Sequence, residues 1–323
     1  MERIGARATG ETKLPWALVL AGGEGTRLRR LTTAVAGDER PKQFCALLGA
    51  ETLIDQTRQR AALLTAPDRT VIVLTRSHER YYRPLVSGIP SRCRVIQPEG
   101  RGTAPAIVYG LLRIASVDPM ATVVMLPSDH WVSDDARFME HVRAAVTTVA
   151  GTAAGHDGRA DLIVLLGIAP DHPDAEYGWI DPGEPIPGTA LLRVRRFWEK
   201  PPAITAARLM ARGSLWNSFV AVARVPTLLA LLRSRVGALY EAFIGVAPAF
   251  ESPAEEARID RLYRDLPATD FSEGVLTRCP ANLATLPVRG VEWSDWGNPR
   301  RVLATLARLG VHPPWAARTA ALA

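Results

Sequence analysis

The sequence predicts an α/β protein built on a doubly wound, mostly parallel sheet. Short, near-continuous apolar runs alternate with longer amphipathic stretches through the first half. The first of those runs leads straight into a glycine-rich turn. Hydrophobic residues at 47% and charged residues at 22% of 323 are ordinary globular values, which excludes wholesale disorder.

Ala17–Ala21, Thr70–Thr75, Thr122–Leu126 and Leu162–Leu166 are uniformly apolar or β-branched, as expected of strands buried on both faces. Between them, Thr52–Leu64 places Leu53, Thr57, Arg60 and Leu64 on one helical face. Asp55, three residues after Thr52, makes a capping box there. Ala104–Ala115 and Asp134–Ala150 read as helices in the same way. Strand alternating with helix implies parallel βαβ units. From Gly167 the rhythm changes, and Pro and Gly cluster between Pro170 and Gly188, predicting loops and an inserted hairpin-like layer. Leu191–Phe197 alternates apolar with basic as a half-exposed strand does. Helices are expected near Ile204–Arg212, Thr227–Arg235 and Ala254–Leu266, then a strand over Leu283–Val288 and a last amphipathic helix over Pro299–Leu309.

The net charge of +6 is spread over scattered pairs such as Arg29-Arg30 and Arg195-Arg196, never a run of five. No nucleic-acid-binding motif accompanies them, so an anionic small molecule is the expected partner rather than nucleic acid. No apolar run reaches the ~18 residues of a membrane span. Met1–Lys13 is polar, without the apolar core of a secretory signal, and 1–13 is expected to be a disordered tail. Cys45, Cys93 and Cys279 are odd in number and far apart, which suits a reducing cytoplasm and gives no metal-ligand spacing. Only Lys13, Lys42 and Lys200 are lysine among 39 basic residues. Two internal lysines in an arginine-rich chain invite a reason, such as a compact charge against phosphate.

The first strand runs into Ala21-Gly-Gly-Glu-Gly-Thr-Arg-Leu28. Such a turn aims several backbone N–H groups at an anion. It is not a P-loop, because no Gly-Lys-Ser/Thr follows, and it lacks the third glycine of the dinucleotide fingerprint. Gly22, Gly23, Gly25 and Thr26 would wrap a phosphate chain, with Arg27 on its outer oxygens. Arg40-Pro-Lys-Gln-Phe44 follows, and its proline can aim Lys42 back at the loop.

Gly-Gly-x-Gly-Thr-Arg-Leu followed by Pro-Lys-Gln-Phe resembles the opening of sugar-phosphate nucleotidyltransferases, specifically the mannose-1-phosphate guanylyltransferases. The resemblance continues through Arg101-Gly-Thr-Ala-Pro-Ala106, Leu126-Pro-Ser-Asp-His130, Tyr177-Gly-Trp-Ile180, Phe197-Trp-Glu-Lys-Pro201, Trp216-Asn217 and Trp293-Ser-Asp-Trp-Gly297. It implies a Rossmann-like nucleotidyltransferase fold with an inserted sugar-binding β layer, as one domain over 14–323. Its nucleotide-binding half would span about 14–168, its sugar-phosphate half about 169–298 and its C-terminal helix about 299–310. It further implies transfer of a nucleotidyl group from a nucleoside triphosphate to a sugar-1-phosphate with loss of pyrophosphate. GTP, mannose-1-phosphate and GDP-mannose are the expected reactants and product. The nucleophile is already ionised at neutral pH, so the task is alignment of polyanions and neutralisation of charge.

By the same resemblance Asp129 and Asp295 are Mg²⁺ ligands, and Arg27, Lys42 and Lys200 serve the reacting phosphates. Ala21, Gly22, Gly23, Gly25, Thr26, Gln97, Gly102 and Thr103 bind the nucleotide, while Gly178, Glu199 and Asn217 face the sugar. His130 is expected to be structural, since one histidine beside one aspartate makes no transition-metal site. A cytoplasmic enzyme is implied, with no membrane partner; a homodimer is admitted without being required.

Several positions depart from the family pattern. Gln97 stands where the family has glutamate, and an amide offers one acceptor and one donor, so guanine, uracil and thymine all remain open. Gly102 replaces an asparagine, Phe219 replaces a glycine beside the expected sugar pocket, and Trp296-Gly-Asn-Pro299 replaces Val-Gly-Ser-Trp. The alternatives are therefore another hexose-1-phosphate, a pyrimidine triphosphate, or a catalytically silent nucleotide-sugar sensor. Only 26 residues follow Gly297, which speaks against an appended isomerase activity.

Overall fold

A computed structural model describes residues 14–151 and 161–316. The expected tail at 1–13 lies outside the described residues. β1 (Trp16–Leu20), β2 (Thr70–Thr75), β3 (Arg94–Gln97) and β4 (Thr122–Pro127) are parallel, in the spatial order β3-β2-β1-β4. Adjacent residues of each strand point to opposite faces. Leu18, Val73 and Met125 therefore join one core, beneath α4 (Thr103–Ala115) and α7 (Val225–Arg235). Val19, Ile72 and Val124 join another, beneath α2 (Leu53–Ala62) and α5 (Asp135–Gly151). This is the double winding that the continuous apolar runs predict. The Thr52 hydroxyl caps α2 by accepting from the Asp55 backbone at 3.3 Å. Arg60, almost wholly buried, ties α2 to α5 through Asp135 at 2.7 Å.

Beyond β4 the sheet becomes mixed. β9 (Leu215–Arg224), which contains the Trp216-Asn217 motif, lies antiparallel between β4 and β6 (Ile163–Ile168). β10 (Leu283–Val288) then pairs parallel to β6, followed by β8 (Leu192–Glu199) and β7 (Gly178–Pro185). β7 also pairs with β9 at Trp179–Trp216 and Ile180–Leu215, so β9-β6-β10-β8-β7 closes into a ring. The hairpin expected after Gly167 is thus part of the same nine-stranded sheet rather than a separate layer. Its Pro182 and Pro185 fall at register shifts, where a missing N–H costs no ladder bond.

A two-stranded ribbon completes the architecture: β5 (Trp131–Val132) pairs antiparallel with β11 (Trp293–Ser294). Beneath it, Trp131 and Trp296 stack at 6.0 Å in a third core, shared with α1 (Arg29–Ala36) and α11 (Pro299–Arg308). All three cysteines are free and buried, and burial pushes Cys45 and Cys279 up to about 11, so both remain thiols. No helix among the described residues is long and apolar enough to cross a membrane.

Candidate active site

The carboxyl ends of β1, β3 and β4 open onto a cavity of about 420 Å³, as expected at the ligand edge of an open α/β sheet. Gly22, Gly23, Gln97, Gly102, Thr103 and Asp129 are among its lining residues. The loop after β1 is shaped by Gln43, whose amide donates to the Ala21 and Gly23 carbonyls at 3.1 and 2.8 Å. A side chain at Gly22 would run into Gln97 Nε2 at 2.7 Å, so the loop must be bare at that point. Gly102 has φ +82 and ψ −177, and a Cβ there would meet the Thr269 carbonyl at 2.3 Å. That contact explains why an asparagine cannot stand at 102 in this chain. Thr103 opens α4, and its hydroxyl accepts from the Phe271 N–H at 2.8 Å.

Asp129 lies just past β4, and the β5–β11 ribbon brings Asp295 to it. Continuing the register of Ser294 opposite Trp131 sets Asp295 across from His130. Lys42 joins the two aspartates. Its ammonium lies 3.2 Å from Asp129 Oδ2, and it donates to the Asp295 carbonyl and, at 3.3 Å, to that of Trp296. Lys42 is thus almost wholly buried and engaged by protein acceptors. Asp295 Oδ1 accepts from the Gly297 N–H at 2.7 Å and from Arg301 at 2.8 Å. Burial alone would raise Asp295, but Lys42 and Arg301 hold it below its ordinary 3.8. His130 goes the other way: burial depresses the imidazole, and it stays neutral, edge-on to Trp293 at 5.2 Å. This is the structural placement expected of it.

Among the described residues no three metal-ligating side chains cluster. Asp129 lines the cavity, while the Asp295 carboxylate is held by Gly297 and Arg301 and is not among the lining residues. Mg²⁺ suits such a site, since it takes one or two carboxylates and completes its shell with phosphate and water. The donor set fits that ion and not a transition metal.

Gly178, Glu199 and Asn217 meet on three different strands. Gly178 pairs with Glu199, and the position of a Cβ at Gly178 lies 3.1 Å from Glu199 Oε2 and 3.3 Å from Asn217 Cβ. Burial raises the Glu199 carboxyl above its ordinary 4.5, with Lys200, 3.2 Å away, opposing. Lys200, at φ +44, reaches into solvent. Phe219, two residues beyond Asn217, has φ +62 and lines the glycine-loop cavity rather than the Gly178–Glu199–Asn217 cluster. Arg27 lies in a short helical turn with Thr26, and its guanidinium is 3.7 Å from Glu176.

A family model described as nucleotidyl transferase matches residues 16–305. The chain belongs to the nucleotidyl transferase family. It is 31% identical over 287 residues to the xanthan biosynthesis protein XanB of Xanthomonas campestris, covering 87% of this chain and 57% of that protein. It is 28% identical over 324 residues to the mannose-1-phosphate guanylyltransferase ManC of Salmonella typhimurium, covering 94% and 61% respectively. The chain therefore spans less than two thirds of the length of these relatives. The crystal structure of a mannose-1-phosphate geranyltransferase from Thermus thermophilus matches with a TM-score of 0.75 at 30% identity, over 93% of this chain and 80% of that one.

Within this nucleotidyl transferase fold, three residues absent from the sequence reading shape the site. Gln43 moulds the glycine loop, and its place in the Pro-Lys-Gln-Phe motif was the available signal. Tyr263, on α9 (Glu255–Asp265), donates to Gln97 Oε1 at 2.9 Å. Arg301, on α11, grips Asp295, Asp174 and Glu176 and stacks 4.1 Å over Tyr177. Nothing in the sequence marks Tyr263, or picks Arg301 from its many fellow arginines.

Proposed function

We propose that this chain transfers a guanylyl group from GTP to mannose-1-phosphate, releasing pyrophosphate and forming GDP-mannose. The observation that carries the proposal is the junction of Asp129, Lys42 and Asp295 beside the glycine-loop cavity. In this reaction an oxygen of the sugar phosphate attacks the α-phosphorus of the triphosphate. A new P–O bond forms as the bond to the β-phosphate bridging oxygen breaks, and that oxygen leaves on pyrophosphate. No proton needs removing from the nucleophile, so the chain requires no general base.

The loop Ala21–Thr26, with Thr103 at the start of α4, holds the nucleotide, and Arg27 faces the triphosphate. Asp129 and Asp295 would hold Mg²⁺, which when bound supplies charge neutralisation at the phosphates. Lys42 fixes the relative position of the two carboxylate-bearing segments and adds positive charge beside the reacting phosphates. Arg27 is free to leave its half-exposed partner Glu176 for the triphosphate, since such a pair contributes little. Glu199 and Asn217 accept from and donate to the sugar hydroxyls, with Gly178 leaving room for the ring. Lys200, whose ammonium is largely in solvent, turns towards the incoming sugar phosphate. The reading places the reaction in the cytoplasm, where nucleoside triphosphates are held.

A second reading keeps this chemistry and changes the base to uracil or thymine. It is favoured by Gln97, where an amide replaces the family's carboxylate. A matrix of four triphosphates against several sugar-1-phosphates with Mg²⁺, scored by pyrophosphate release, tests both. The expected outcome is highest turnover for GTP with mannose-1-phosphate. No release from any pair would overturn the proposal, and a pyrimidine triphosphate in first place would select the second reading.

A further inference from the structure

The family pattern puts a carboxylate at the base-reading position, and this chain has Gln97. Gln97 is almost wholly buried at the end of β3, and its side chain lines the nucleotide cavity. Its two polar atoms are not equally available. The Tyr263 hydroxyl lies 2.9 Å from Oε1, and burial keeps that phenol protonated far above ordinary pH. Among the described residues the hydroxyl has no other acceptor, so donating to Oε1 is the arrangement that strands no buried proton. Nε2, by contrast, has no acceptor among the described residues and sits against the glycine loop at Gly22. Gln97 therefore presents Nε2 to the cavity as its free donor, with Oε1 already engaged by Tyr263.

The same cavity holds one carboxylate that the function has not used. Glu24, in the middle of the glycine loop, lines it. One carboxylate oxygen lies 3.9 Å from where a Cβ would stand at Gly100, three residues beyond Gln97. The other lies 3.4 Å from Nε2 of the buried His78, which itself packs edge-on against Phe44. Glu24 is half exposed, and its carboxylate has acceptor capacity to spare.

The geometry points to a divided base reader, in which Glu24 accepts from two adjacent N–H groups of the base while Gln97, held by Tyr263, donates to a carbonyl beside them. Resting on the nucleotidyl-transfer reading, this names a purine with a 6-oxo group, an N1–H and a 2-amino group as the favoured base. Guanine presents that acceptor-donor-donor edge. Uracil and thymine offer a carbonyl and one N–H, but their second carbonyl would face the Glu24 carboxylate, an unfavourable pairing of two acceptors. Hypoxanthine keeps the carbonyl and N1–H and lacks only the 2-amino group, so it isolates the second of the two Glu24 contacts.

The test is equilibrium binding of GTP, ITP and UTP to the full chain with Mg²⁺ and no sugar phosphate. Pyrophosphate release with mannose-1-phosphate is measured separately. Wild type is expected to prefer GTP over ITP by roughly tenfold, the scale of a bidentate base contact. Glu24→Gln brings that ratio close to one while ITP affinity changes less than about threefold. Tyr263→Phe frees Gln97 to rotate and lowers the GTP to UTP ratio by about the same factor. Equal binding of GTP and ITP by wild type, or an unchanged ratio in Glu24→Gln, overturns the divided reader even if turnover is normal. A Glu24-dependent preference without pyrophosphate release from any sugar-1-phosphate sinks the transfer reaction and leaves the reader standing. Failure of all three triphosphates to bind overturns both.

Discussion

At the phosphate end of the cleft, Lys42 bridges to a carbonyl 253 residues away and is closed in by Asp129 and the Trp296 carbonyl. At the sugar end, Gly178, Glu199 and Asn217 are placed by strand register, and the nearby Lys200–Glu199 pair is partly in water. The first end is preassembled by charge that has been taken out of solvent. The second is a neutral scaffold with one adjustable carboxyl. Preorganised charge is what a transfer between polyanions requires, whereas a sugar ring needs shape and a few well-placed acceptors. Under the proposed reaction, activity and fold stability are coupled at the lysine bridge, and sugar selectivity is carried separately.

The largest expected break in that contrast is at the aspartates. Asp129→Asn and Asp295→Asn keep the side-chain shape but remove the charge, and each is expected to lower kcat by about 10²–10³. Pyrophosphate release by folded variants checks this, and an unchanged kcat would remove that residue from the metal-binding pair. Next is Lys42→Met, which leaves Asp129 with no counter-ion at the bridge. A loss of roughly 3–5 kcal/mol is expected, read from the urea midpoint at constant slope. The counterpart at the sugar end, Glu199→Gln, should change stability by less than ~1 kcal/mol, because its ion pair is only partly shielded. If the two variants lose equal stability, the contrast fails.

Glu199→Gln is expected instead to raise KM for the sugar phosphate about tenfold with kcat little changed, as loss of a charged hydrogen-bond acceptor predicts. The smallest effect is in pH, where the ends diverge in sign. Asp295 is held below its ordinary 3.8, so its contribution to stability is full above that pH and is lost as pH falls through the lowered value. Glu199 is raised above its ordinary 4.5, so its ionisation costs stability, and that cost disappears as pH falls through the raised value. Thermal melts of wild type and the two variants from pH 3 to 7 separate these contributions. The sugar-phosphate KM of wild type should also rise as pH falls through the raised Glu199 value, and Glu199→Gln should abolish that dependence.

Much of the architecture was legible because strands buried on both faces cannot hide their composition. Thr70–Thr75 and Leu283–Val288 have the boundaries expected of them, and the Thr52 cap is where the spacing set it. β9 is also buried on both faces and was still missed, because its Trp216-Asn217 motif was read for chemistry alone. At the site, the rarity of lysine singled out Lys42, but its partners come from the far end of the chain, where spacing carries no information. The departure at Gly102 is a steric demand set by Thr269, which no reading of neighbouring residues could supply.

The ring of strands has a mechanical consequence. β9 is hydrogen-bonded to β4, β6 and β7, and it carries Asn217 of one pocket and Phe219 of the other two residues apart. No hinge can swing the two halves apart without tearing that ladder. Asn217 and Phe219 are therefore fixed relative to each other by one hydrogen-bonded strand, a rigid floor common to both neighbourhoods.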